Sequence, residues 1–148
     1  MLTQAVAPWL FWALLSAGFA ALTAIFAKIG VANVNADFAT FIRTVVILVV
    51  LAAILAARGL FQPLQTIPAK TYLFLCLSGL ATGASWICYF RALQIGDAAR
   101  VAPVDKLSVV LVALFSVIFL GEHLDLRGWL GIALIATGVV LIAVKPLG

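Results

Sequence analysis

Long stretches without charge constrain this chain more than any other feature. No charged side chain occurs from Met1 to Ala27, Thr71 to Phe90, Leu107 to Gly121 or Gly128 to Val144, and Phe38 to Ala57 is broken only by Arg43. An apolar helix of about 20 residues is what the hydrocarbon core of a bilayer requires. Spans are therefore placed near 8–30, 37–57, 70–92, 101–121 and 127–145. The runs lack the alternating polarity and turn spacing of a membrane barrel. The expected fold class is all-α: a polytopic membrane protein, a bundle of five transmembrane helices.

Composition excludes the alternatives. The chain is 66% hydrophobic and 9% charged, where soluble domains run at roughly 45–50% and about 25%. Its nine basic and five acidic residues cannot coat a water-soluble surface, and disordered chains have the opposite bias. The net charge of +4 comes from scattered cations with no basic face, so no nucleic acid partner is expected. Cys76 and Cys88 fall on one predicted helix roughly 18 Å apart, beyond disulfide reach. The first span lacks the basic start of a signal peptide and is too long for one, so it is read as retained.

The connections are short. Arg58-Gly59 ends the second span, Pro63 and Pro68 keep the next segment out of helix, and Gly96-Asp97 makes a turn. Pro103 is placed in the first turn of the fourth span, where a missing backbone donor is tolerated. No linker separates domains, and residues 1–148 read as one domain.

Charge is distributed almost evenly across the membrane. The amino-terminal side receives Arg58, Lys70 and Arg127, and the opposite side receives Lys28, Arg91, Arg100 and Lys145. Orientation normally follows an excess of Lys and Arg on one side. Arg43 and Lys106, inside spans, would raise the second side to six.

Ionisable groups at membrane depth are costly and mark pathways or partners. Lys28, Arg43, Arg91, Asp105 and Lys106 bring charge to one side of four spans. Lys28, Arg91 and Lys106 can snorkel along their aliphatic stems. Asp105 is too short to do so and needs a partner: Lys106, Arg43 or Lys28. Arg43 and Asp105 are read either as a polar vestibule facing the bundle interior, with Arg43 attracting a carboxylate, or as structural pairing. Trp86, Tyr89 and Phe90 share one helical face, as packing, interfacial belt or substrate wall. Together Arg43, Asp105, Lys106, Lys28, Trp86 and Tyr89 are the candidates for substrate contact or gating.

Other features concern packing. Gly79 and Gly83 on the third span, and Gly128, Gly131 and Gly138 on the fifth, form narrow faces that permit close helix approach. His123, beside Glu122 and Asp125, is too little for a metal site. No nucleophile triad, phosphate loop, metal set or cofactor motif is present in the sequence, and an enzyme is not expected.

With these residues in view, the chain resembles the EamA domain of the drug/metabolite transporter superfamily over nearly its whole length. The resemblance rests on Lys28 closing the first span and on Phe38 to Arg43 opening the second, with Arg43 at the family's characteristic arginine. It continues through Tyr89-Phe90-Arg91-Ala92-Leu93, Ala102-Pro103, Leu120-Gly121-Glu122, Gly131 and Gly138. It implies transport of small solutes, frequently export of amino acids or related metabolites, at the cell (inner) membrane. Most relatives have two five-helix repeats of opposite orientation around a cavity, and this chain looks like one repeat. Where many relatives have a proline midway along the fourth helix, it reads Asp105-Lys106-Leu107-Ser108-Val109.

A homodimer is therefore expected, antiparallel with a parallel pair as the competitor, working on a small-molecule substrate by alternating access. The rival readings are a small-multidrug-type cation exporter and a non-transporting scaffold or modulatory subunit. The first would use a glutamate in the first span, and no acid occurs between Met1 and Ile29.

Overall fold

A computed structural model describes residues 8–144. Lys145 and the segment before Pro8 lie outside the described residues. Five helical stretches are long and apolar enough to cross a membrane, and no strand occurs among the described residues. The protein is an all-α, multi-pass membrane protein.

Helix α1 (Pro8–Gly30) is followed by α2 (Ala36–Arg58). The start of α2 is set by Asn35, whose Oδ1 accepts from the amides of Asp37 and Phe38 at 2.9 and 3.2 Å. These amides have no partner within the helix. Asp37, in the first turn, complements the positive end of the helix dipole. Gly59 ends α2 at φ +62°, a left-handed conformation that glycine adopts without Cβ strain. A single 3₁₀ turn (Leu64–Thr66) leads to α3 (Ala69–Ile95).

The fourth span covers Ala98–Leu120, starting three residues before the expected 101. It is not one regular helix. It comprises α4 (Ala98–Asp105), a tight turn, α5 (Ser108–Phe115) and a π-helical turn (Ser116–Leu120) closed by Gly121 at φ +67°. Because α4 begins at Ala98, Pro103 is its sixth residue. It is thus past the first turn, and its missing N–H leaves the Ala99 carbonyl without the usual helical donor. The final helix, α6 (Leu126–Ala143), is capped by Asp125, whose Oδ1 accepts from the Gly128 amide at 2.8 Å.

The described chain divides into two compact units. One runs from Ile25 to Ile95; the other takes in α1 up to Ala24 and everything from Gly96 onward. Within the first, α2 packs against α3; within the second, α4 and α5 pack against α6. Most apolar side chains along the spans are exposed, Leu80 at 72% and Phe119 at 76% among them. In water this surface would be untenable, and lipid is the solvent that suits it.

Candidate functional site

The best-buried part of the Ile25–Ile95 unit lies where the end of α1, the start of α2 and the end of α3 meet. Val31, Ala36, Phe90 and Leu93 are each at most 3% exposed. Polar bonds tie these ends together. Lys28 Nζ donates to the Leu93 carbonyl at 2.6 Å, and Gln94 Nε2 donates to the Val31 and Val34 carbonyls at 3.1 and 2.6 Å. Lys28 thus reaches an open carbonyl at the carboxyl end of α3, where cations are favoured, and Gln94 ties down the turn between α1 and α2. Arg91 completes the set through Nε and Nη2, which donate to the two carboxylate oxygens of Asp37 at 3.1 and 2.7 Å. This bidentate pair is solvent-facing.

Deeper along α2 stands Arg43. Its guanidinium carbon lies 3.3 Å from the centre of the Trp86 ring and 6.0 Å from that of Phe90. Trp86 in turn meets Tyr89 and Phe90 edge-on, at centroid separations of 5.5 and 5.7 Å. The i, i+3, i+4 face of α3 is therefore an aromatic platform, and α2 lays its one embedded cation on it. A cation–π contact contributes on the order of 0.5–2 kcal/mol, most when desolvated. Nearby, the Thr40 and Thr44 hydroxyls donate to the Ala36 and Thr40 carbonyls at 2.8 Å, so these polar side chains are satisfied by their own helix.

Asp105 and Lys106 belong to the other unit. Lys106 Nζ donates to Asp105 Oδ2 at 3.1 Å. Consecutive residues on an α-helix do not face each other, and these two meet because the backbone leaves the helix there, with Lys106 at φ −72°, ψ −4°. The amides of Lys106, Leu107, Val109 and Val110 reach back three residues, to Pro103, Val104, Lys106 and Leu107. The carbonyls of Ala102 and Asp105 thereby lose their usual helical donors. Irregular backbone at membrane depth is tolerated only inside protein or beside water.

Of the expected candidates, the structure lays Arg43 on Trp86, sets Tyr89 edge-on to that same ring, places Lys28 at a helix end, and pairs Asp105 with Lys106. Space within 4 Å of a Cβ at Gly79, Gly83, Gly131 or Gly138 is open, whereas at Gly128 it would meet Leu124 and the capping Asp125. Sequence reasoning passed over Asp37 and Gln94. An acid in a first helical turn and an amide at a helix end were their only signals.

A multi-pass helical protein with charged groups held inside its spans fits the class of membrane transporters. Residues 7–144 match the EamA-like transporter family, and the chain belongs to it. A Sinorhizobium sp protein named "Uncharacterized transporter in cobO 3'region" is 69% identical over 136 residues, covering 92% of this chain and 96% of that protein. No solved structure matches. Family and relative together support a membrane transporter and point away from an enzyme.

Proposed function

We propose that the protein is a homodimeric carrier of small, amino-acid-like metabolites, exporting them across the inner membrane by alternating access. The observation that carries this reading is Arg43, a permanent cation inside the second span, held on Trp86. A charge at that depth has a cost that a purely lipid-facing scaffold has no reason to bear. Arg43, Trp86 and Tyr89 contact solute in this reading, while Asp105, Lys106 and Lys28 serve gating.

Two copies are invoked because five helices are few to enclose a path. The open glycine faces at Gly79, Gly83, Gly131 and Gly138 offer contact surfaces of the kind helices use in lipid. The even split of basic residues leaves orientation weakly determined, which favours an antiparallel pair. Such a pair recreates the inverted-repeat arrangement that places transporter sites near the midplane.

The test is uptake into liposomes holding the purified protein, across a panel of amino acids and related metabolites, with crosslinking in mild detergent for the dimer. Saturable flux of at least one solute and crosslinked pairs are expected. Absence of flux for the whole panel would favour a scaffold. Reporters active in the cytoplasm or the periplasm, fused separately after Gly148, should both give signal if insertion is dual. One silent reporter, unmoved by lysines added near residues 58–70, removes the antiparallel pair.

A further inference from the structure

We infer that the N–H edge of Arg43 is a binding site for the carboxylate of a small organic acid, with Trp86 as the platform that fixes it; this rests on the transport reading and names the end of the solute that is recognised.

Three observations carry the inference. The guanidinium carbon lies over the Trp86 ring, 3.3 Å from its centre. A guanidinium carries its donors in its own plane, where a carboxylate accepts two parallel hydrogen bonds. No ion pair joins it to an acid of the Ile25–Ile95 unit. The one acid between Ile25 and Ile95 is Asp37, and both its oxygens are taken by Arg91. Within its unit, Arg43 therefore has a cation's need and no protein anion to meet it. An arginine so placed is matched by a planar oxyanion brought from outside.

Depth argues against a lipid headgroup as that anion. Arg43 lies six residues beyond Asp37, about 9 Å further along the helix. A snorkelling arginine would extend back towards the helix start. This one instead lies on Trp86, nine residues before the end of α3 at Ile95. The aromatic contact holds the charge at Trp86, five residues before Arg91 on α3, and a phosphate group would have to leave its interface to reach it.

The experiment reads binding without requiring transport. Trp9, Trp12 and Trp129 are replaced by Phe, leaving Trp86 as the one fluorophore of its kind, in nanodiscs of phosphatidylcholine. Cyclohexanecarboxylate is titrated against its uncharged isostere cyclohexanecarboxamide; neither absorbs in the tryptophan band. A saturable change in Trp86 emission is expected with the acid, with affinity at least tenfold weaker for the amide. Arg43→Gln should lose the preference for acid over amide, and Arg43→Lys, which keeps the charge but not the fork, should fall between.

Equal affinity for acid and amide, or an unchanged preference in Arg43→Gln, overturns the proposal. Should Arg43→Gln fail to fold, the wild-type comparison and Arg43→Lys still decide. Anionic phosphatidylglycerol in the nanodisc should leave the emission and the acid's affinity unchanged; competition by that lipid assigns the site to headgroups and also overturns the proposal. Acid binding without flux in liposomes would sink the transport reading and leave the site standing. Flux without acid binding would do the reverse.

Discussion

The second and fourth spans have the same length, 23 residues each, and each carries charge at its eighth residue, Arg43 in one and Asp105 in the other. One is an unbroken helix and the other is in pieces. The difference lies in where each charge finds its partner. Arg43 rests on an aromatic ring of the neighbouring helix, so its own backbone need not adjust. Asp105 pairs with the very next residue, which a regular helix forbids, and Pro103 two residues earlier has already removed an amide from the ladder. A cross-helix partner lets a span absorb a charge while remaining rigid. A partner on the same strand of backbone goes with a hinge-like break.

Breaking the cross-helix partnership should have the largest effect. Arg43→Ala is expected to lower flux in liposomes at least tenfold, with helix content by circular dichroism unchanged. Removing the platform is the next step down. Trp86→Leu gives up a contact of about 0.5–2 kcal/mol, so a loss of roughly two- to thirtyfold is expected, with Trp86→Phe retaining more because its ring keeps a weaker π-face.

Mending the fourth span sharpens the other half of the comparison. Pro103→Ala restores an amide and removes a ring clash that costs about 3 kcal/mol within a helix. Thermal unfolding in detergent should move upward by part of that amount, while flux slows about two- to threefold as the break stiffens. The smallest effect on transport belongs to Gly59→Ala. Its left-handed φ of +62° makes alanine unfavourable by roughly 1–2 kcal/mol, which should appear as lower thermal stability with flux unchanged.

The fold was legible because the signal is one-dimensional: uncharged runs long enough to cross a bilayer need no tertiary information. The aromatic face of Trp86, Tyr89 and Phe90 was legible for the same reason, from helical spacing alone. What Arg43 would rest on was not, because the pairing depends on how α2 packs against α3. The partners of Lys28 and Gln94 are backbone carbonyls, at Leu93 and at Val31 and Val34. Every residue has a carbonyl, so no pattern of side chains points to them. The break at Lys106-Leu107 was hidden by three residues. With the helix starting at 101, Pro103 would stand in a first turn and cost little. With the start at Ala98 it stands in the interior, and Asp97 rather than Arg100 is the residue before the helix.

The central claim is that the cation inside the second span lies on the solute's path. Its most direct test is counterflow of a radiolabelled carboxylate-bearing solute, one carried by the wild type, in liposomes holding equal amounts of wild-type or Arg43→Gln protein. The account predicts saturable exchange by the wild type and at least a tenfold loss in the variant, with equal reconstitution. Equal exchange by both proteins would contradict it.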